Sequence, residues 1–181
     1  KSAIKIIGDH TDKYAQAYFA YDSKKSGGIT VSHLRFGDTP IRSTYLVDKA
    51  DFISCSQQSY VTKYNLLAGL KSKGTFLLNT MWTGEELDRN LPVEMKQYLK
   101  DNDIAFYTIN AVDVAKELGL GNRTNMILQS AFFKLTDILP IEDAVGYLKA
   151  SVEETYGRKG DKVVQMNCAS IDAGIDHLVK I

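Results

Sequence analysis

Short apolar runs alternate with longer amphipathic stretches through the middle of the chain. Three such runs predict buried strands, because each is brief, apolar and bounded by polar residues. These runs are Asp51–Cys55, Thr75–Thr80 and Ile104–Asn110. The stretch after the first run, which ends at Gly74, has apolar residues at helical spacing: Val61, Tyr64, Leu67 and Leu70. It therefore predicts a helix between the first two strands.

Start and stop signals divide the following sequence into further helices. Thr83 and Glu86 form a capping-box pattern, and Pro92 is suited to open the next helix. Another helix follows the third apolar run and stops at Gly119. Asn122 is then predicted to be the N-cap of the next helix.

The C-terminal third predicts three helices, each with one apolar face. The face of the first consists of Met126, Ile127, Ala131 and Phe133. Pro140 precedes the second, whose face consists of Ala144, Leu148, Val152 and Tyr156. After the loop 157–162, the last helix is predicted to point five residues inward: Val164, Cys168, Ile171, Ile175 and Leu178.

The N-terminal part has a different pattern. Tyr14–Tyr21 is rich in aromatic and small residues, and its periodicity fits a strand and a helix equally. Ile29–Phe36 alternates and predicts a strand, with Ile41–Leu46 as its antiparallel partner beyond a turn. This pair is expected to extend the same sheet as the three apolar strands. The first residues have helical spacing with no strand before them, as in the middle of a folding unit.

Apolar strands that alternate with helices predict a parallel sheet with right-handed crossovers and helices on both faces. The fold class is therefore α/β, with a mixed, mostly parallel Rossmann-like sheet flanked by helices. We expect one α/β domain over residues 1–181, from which the first strand is missing. The sequence contains no internal repeat, linker or low-complexity segment.

Composition restricts the possible functions. The chain has 181 residues, of which 44% are hydrophobic and 24% charged, as in ordinary globular proteins. Lys plus Arg and Asp plus Glu are balanced at 22 each, so no overall field favours nucleic acid or an anionic membrane. We expect neither as a partner, and any anion site must be local. No apolar run is long enough to span a membrane.

No set of residues predicts a catalytic centre. Cys55 and Cys168 lie far apart, without the spacing of a zinc or iron–sulfur site, and free thiols in a reducing cytoplasm are expected. The histidines His10, His33 and His177 have no acidic or nucleophilic partner at a suitable spacing. The sequence also lacks the nucleophile elbow, the phosphate loop and the zinc-protease motif. We therefore predict no catalytic residue and no metal ligand in this chain.

Two polar segments are candidates for binding an anion. The first contains Lys24, Lys25, Ser26, Gly27 and Gly28. It fits a solvated hairpin turn, and it also fits a loop whose cations and backbone N–H groups hold a phosphate. The second is the start of the helix capped by Asn122, where free N–H groups attract negative charge. The residues expected there are Asn122, Arg123 and Asn125, although a plain N-cap with a surface arginine fits as well.

Strand ends provide further polar candidates. The carboxyl ends of the predicted strands are Ser56–Gln57, Asn79–Trp82 and Asn110, at the edge where open α/β sheets bind ligands. Trp82 lies beyond the second strand, where an aromatic platform and a packing role are both possible. Each of these residue types is also common at the start of loops.

Long segments of the sequence resemble the gamma domain of pyruvate:ferredoxin (flavodoxin) oxidoreductases, in the 2-oxoacid:ferredoxin oxidoreductase family. The similarity runs through essentially the whole chain. The segments that carry it include KIIGDHTDKYAQAYFAYDSKKSGGITVSHLRFGDTP, GTFLLNT, FYTINAVDVAKELGLGNRTNMILQSAFFKL and VVQMNCASIDAGIDHLVKI.

The resemblance implies a role in an enzyme that converts pyruvate and coenzyme A to acetyl-CoA and CO2 while reducing ferredoxin or flavodoxin. It assigns thiamine diphosphate, Mg²⁺ and iron–sulfur clusters to other domains or subunits, and participation in coenzyme A binding to this one. The resemblance places a glycine-rich turn just before Lys1, so the chain is expected to be an excised domain, inactive alone. A cytoplasmic location is expected.

Three functions are compatible with these observations. The first is a coenzyme-A-facing domain, in which the Lys24 loop, the start of the Asn122 helix and Asn167 contact the ligand. The second is a structural domain of the same assembly without ligand contacts. The third is an independent nucleotide-binding regulator, which the missing first strand argues against.

Overall fold

The computed structural model describes residues 14–21, 30–37, 50–63, 66, 67, 69–121 and 123–181. The chain forms two compact units, Lys1–Asp48 and Lys49–Ile181. The prediction of one domain stays a prediction.

The described part of the first unit consists of two antiparallel strands. Strand β1, Tyr14–Tyr21, pairs antiparallel with β2, Thr30–Gly37. The alternating segment is thus a strand, as predicted, and the aromatic segment before it is also a strand. The expected partner, Ile41–Leu46, lies outside the described residues. In the described residues β1 and β2 form a sheet of their own. The expectation that Ile29–Phe36 and Ile41–Leu46 together extend the larger sheet stays a prediction.

The second unit contains a four-stranded sheet in the order β3-β4-β5-β6. Strands β3 (Ala50–Cys55), β4 (Leu70–Asn79) and β5 (Ala105–Ile109) are parallel neighbours, which confirms the prediction from the three apolar runs. The short strand β6, Val179–Lys180, adds antiparallel to β5. The central strand β4 is buried on both faces, which explains its continuous apolar run.

Seven helices accompany the sheet in this described part. They are α1 (Tyr60–Lys63), α2 (Gly84–Asn90), α3 (Val93–Asp101), α4 (Ala111–Glu117), α5 (Asn125–Thr136), α6 (Ile141–Tyr156) and α7 (Asp161–Asp176). A 3₁₀ turn, Gly157–Lys159, joins the last two. Thr83 and Pro92 occupy the N-cap positions of α2 and α3, as predicted, although the Thr83 side chain makes no capping bond.

The helix predicted up to Gly74 is wrong beyond its first turn. Helix α1 ends at Lys63, and β4 already begins at Leu70, which pairs with Ala50. Gly69 has φ +82° and Lys73 has φ +65°, values that a right-handed helix cannot contain. Strand pairing therefore overrides the local helical spacing.

Two layers of apolar side chains enclose the sheet. On one face, Phe76 and Phe106 stack with ring centroids 5.4 Å apart and pack with α2 and α3. On the other face, Leu77 and Ile109 pack with residues of α4 and α5. The predicted arrangement of helices on both faces of the sheet is thus confirmed.

Two details of the C-terminal helices differ from the prediction. The N-cap position of α5 is Thr124 and not Asn122, because the Arg123 N–H still donates to the Leu120 carbonyl at 3.2 Å in the preceding turn. The fully buried face of α7 also differs from the apolar face expected, since only Ile171 is common to both. That face consists of Asn167, Ser170, Ile171 and Gly174.

Candidate functional site

The carboxyl ends of β3, β4 and β5 meet at one edge of the sheet, where Asn79 connects them. Its Nδ2 donates to the Ser56 carbonyl at 3.1 Å, and its Oδ1 accepts from the Ala111 N–H at 3.0 Å. The side chain is only 5% exposed. Asn79 therefore holds the loop after β3 against the start of α4, with its amide nitrogen and its amide oxygen each bonded to the backbone.

A second hydrogen-bonded set lies beside Asn79. Gln58 Oε1 accepts from the Thr80 hydroxyl at 2.7 Å and from the Met81 N–H at 3.0 Å. The Thr80 oxygen in turn accepts from the Trp82 N–H at 3.0 Å. Trp82 packs against the α2 and α3 side of the core, which favours its packing role. Thr80 belongs to the strand end Asn79–Trp82 that the sequence offered as a candidate, but sequence reasoning missed Gln58, although it directly follows the strand end Ser56–Gln57.

Cys55 is the thiol nearest this edge. It is 4% exposed, and its Sγ donates to the Gln57 carbonyl at 3.0 Å. Burial raises the pKa of the Cys55 thiol, and the Gln57 backbone opposes that shift without cancelling it. A thiol held in its protonated form is a poor nucleophile. Cys55 is therefore a packed core residue.

The start of α5 has the features expected of an anion site. Arg123 and Asn125 are both exposed, one just before the helix and one in its first turn. That turn contains no acidic residue, and the Thr124 side chain does not cap it. Arg123 forms no ion pair with any other residue that the structure describes. The positive end of the helix and the guanidinium are thus exposed, and no described residue forms an ion pair with Arg123.

Asn167 lies on α7, in a different environment. It is 4% exposed, and its Nδ2 donates to the Val163 carbonyl of the same helix at 2.9 Å. The neighbouring Met166 packs on the turn at Gly119, where its methyl carbon lies 3.5 Å from an ideal Cβ position. This part of α7 is therefore near the turn that leads to Arg123.

The remaining predicted binding residues cannot be placed. Lys24, Lys25, Ser26, Gly27 and Asn122 lie outside the described residues, so their roles stay predictions. Among the residues that the structure does describe, no three His, Cys, Asp or Glu side chains form a group that could hold a metal ion. None of the helices described is long and apolar enough to cross a membrane.

Comparison with protein families gives one match over nearly the whole chain. The family described as pyruvate ferredoxin/flavodoxin oxidoreductase matches residues 1–177. The chain is 69% identical over 181 residues to a pyruvate-flavodoxin oxidoreductase of Enterobacter agglomerans, and 54% identical to a pyruvate:ferredoxin oxidoreductase of Moorella thermoacetica. Both matches cover all of this chain, but only 15% and 16% of those relatives. The chain thus spans a small part of the curated relatives it matches.

Solved structures share the fold. Pyruvate oxidoreductase subunit PORC of Thermotoga maritima matches with a TM-score of 0.73 and 17% identity, over 99% of this chain and 90% of that subunit. The gamma subunit of a keto/oxoacid ferredoxin oxidoreductase from Geobacter sulfurreducens matches with a TM-score of 0.63 and 18% identity, over 97% and 85%. At these identities the likeness supports the architecture alone.

Proposed function

The chain belongs to the pyruvate ferredoxin/flavodoxin oxidoreductase family, and we propose that it is the coenzyme-A-facing domain of such an enzyme. The complete enzyme would convert pyruvate and coenzyme A to acetyl-CoA and CO2. The electrons released would pass to ferredoxin or flavodoxin. In this proposal the chain binds and orients coenzyme A, and supplies no catalytic residue.

The observation that carries the proposal is the uncompensated positive charge at the start of α5. Arg123 and Asn125 are exposed there, and no acidic residue lies in the first turn of the helix. Coenzyme A carries several phosphate charges, and helix N-termini with an arginine are well suited to hold such groups. Asn167 is included in the proposed site because the adjacent Met166 packs on the turn at Gly119. Its buried side chain would have to leave the Val163 carbonyl to reach a ligand.

Five further residues are proposed to contact the phosphates of coenzyme A. They are Lys24, Lys25, Ser26, Gly27 and Asn122. The lysines would neutralise charge, and glycine would let backbone N–H groups approach the phosphate oxygens. Holding the phosphates at this domain would leave the reactive thiol of coenzyme A free to reach a catalytic centre elsewhere.

Thiamine diphosphate, Mg²⁺ and iron–sulfur clusters are proposed to lie in other parts of the enzyme. A typical iron–sulfur cluster requires several cysteine thiolates in one place. This chain has only Cys55 and Cys168, and the first is committed to the core. The donor set therefore does not fit a cluster. We propose further that the enzyme is cytoplasmic and that its remaining domains or subunits are the partners of this chain.

Arg123→Ala and Lys24→Ala in the complete enzyme test the proposal. A charge-assisted contact is worth roughly 1.5–3 kcal/mol, so each change should raise the apparent constant for coenzyme A about tenfold or more. The constant for pyruvate and the first, thiamine-dependent half-reaction should barely change, because neither involves coenzyme A. Steady-state and single-turnover kinetics separate these quantities.

Arg89→Ala is the matched control. Arg89 is also exposed and lies in the last turn of α2, on the other face of the sheet. The Arg89→Ala variant should leave the apparent constants for coenzyme A and for pyruvate unchanged. If the coenzyme A constant stays unchanged in both test variants, the chain is a structural domain of the assembly without ligand contacts.

A further inference from the structure

An apolar groove lies on the α2 and α3 face of the sheet, opposite the face that α5 covers. Its volume is about 310 Å³. The apolar residues that line it are Leu87, Leu91, Leu99, Ile104, Phe106 and Ile181. Leu87, Leu91 and Phe106 are buried core residues and form its floor. The groove is thus an extension of the hydrophobic core that opens to the surface.

Strand β6 continues this apolar surface. The Ile181 N–H donates to the Phe106 carbonyl at 2.9 Å, and Val179 pairs with Thr108. Because strand residues two apart share a face, Val179 lies on the same side of the sheet as Ile181. Val179 is 53% exposed, and no described helix covers it. The open edge of the sheet therefore presents apolar side chains beside the groove.

The charges that line the groove are not balanced. Asp88 and Lys96 form an ion pair at 3.5 Å, and Lys96 also donates to the Asp88 carbonyl. Lys100 lines the groove as well, but it forms no ion pair within the described part of the chain. Lys96 thus neutralises Asp88, whereas the positive charge of Lys100 has no ion-pair partner among the described residues. This arrangement is complementary to an apolar group accompanied by a carboxylate.

We infer that the groove docks a segment of the same oxidoreductase from outside residues 1–181. That segment inserts an apolar side chain over Phe106 and places an Asp or Glu carboxylate beside Lys100. The chain covers only 15% of the pyruvate-flavodoxin oxidoreductase of Enterobacter agglomerans, so an oxidoreductase of that length has further segments that could cover this surface. The inference rests on family membership and on the groove, and does not depend on coenzyme A binding.

Site-specific photo-cross-linking in the complete oxidoreductase tests the inference directly. A benzoylphenylalanine residue replaces Lys100, and peptide mass spectrometry identifies what it captures. The same residue in place of Lys116 is the control, because Lys116 is exposed on α4, which covers the other face of the sheet. We expect position 100 to capture a peptide from outside residues 1–181. Capture of a second copy of this domain, or no more capture than at position 116, would overturn the inference.

Charge reversal provides an independent measurement. Lys100→Glu would place a negative charge beside the proposed carboxylate of the docked segment. Lys116→Glu is the control, because it changes the net charge of the chain by the same amount. Hydrogen exchange of the α2 and α3 amides in the complete enzyme should accelerate by up to about fivefold in the first variant, since an ion pair of this kind is worth at most about 1 kcal/mol. It should not change in the second. Equal exchange in both variants would contradict a carboxylate at Lys100.

Discussion

Gly174 of α7 lies directly against the carbonyl oxygen of Ile127 in α5. A Cβ atom at position 174 would overlap that oxygen and the Ser130 hydroxyl. The same hydroxyl donates to the Ile127 carbonyl at 2.9 Å, so the crossing point is occupied on every side. The two helices therefore pack backbone to backbone, and only glycine allows this distance.

Gly174→Ala should destabilise the chain by about 1–3 kcal/mol, the usual cost of overpacking a close contact. Thermal unfolding checks this expectation. Gly146→Ala is the matched control, because Gly146 lies in α6 with no atom within 4 Å of an added Cβ. It should stabilise by about 0.5–1 kcal/mol through its helix propensity. Equal melting temperatures for the two variants would show that α5 and α7 can separate at no cost.

Asn79→Ala should destabilise the chain by about 1–3 kcal/mol, because it leaves the buried Ala111 N–H without its acceptor. Asn90→Ala is a suitable comparison, since the Asn90 side chain also donates to a backbone carbonyl, that of Glu86, but from an exposed position. Its effect should be near zero. Chemical unfolding curves of both variants give the difference, and a similar small loss in each would refute the connecting role of Asn79.

The Cys55 thiol should make stability fall at alkaline pH. Its pKa is raised in the folded state, so the folded chain keeps a proton that the unfolded chain loses above the ordinary thiol pKa. The free energy of unfolding then decreases as the pH rises from that value through the raised pKa. Cys55→Ala removes this component. The stability difference between wild type and variant should therefore shrink with pH, and a constant difference would contradict the prediction.

Coenzyme A binding should depend on salt partly through Arg123. Ions screen an exposed guanidinium–phosphate contact, so raising the ionic strength should raise the apparent constant for coenzyme A in the complete enzyme. The salt dependence should be weaker in Arg123→Ala, and unchanged in the Arg89→Ala control. If Arg123→Ala keeps the full salt dependence, Arg123 does not contact the phosphates.

The parallel strands could be predicted from sequence because burial on both faces requires continuous apolar runs. Helices α3 and α6 were also predicted, since Pro92 and Pro140 precede amphipathic repeats. Asn125 was predicted to lie at a helix start and begins α5, whereas Arg123, predicted in the first turn, precedes the N-cap residue Thr124. These features depend on residues that are close together in the sequence, and the periodicity of apolar positions reports on such short separations.

Other features depend on residues that are distant in sequence. Leu70 has helical spacing but pairs with Ala50 in the sheet. The amide of Asn79 is used by Ser56 and Ala111 rather than left for a ligand.

The sequence by itself determined the fold class and the positions of the three parallel strands along the chain, because local patterns of burial are enough to specify them. Tertiary structure alone decided which face of α7 is buried. There, close approach to α5 selects a glycine and small polar residues over the apolar face that periodicity favours. A local pattern records how apolar a position is, but it does not record how near a neighbouring backbone will come.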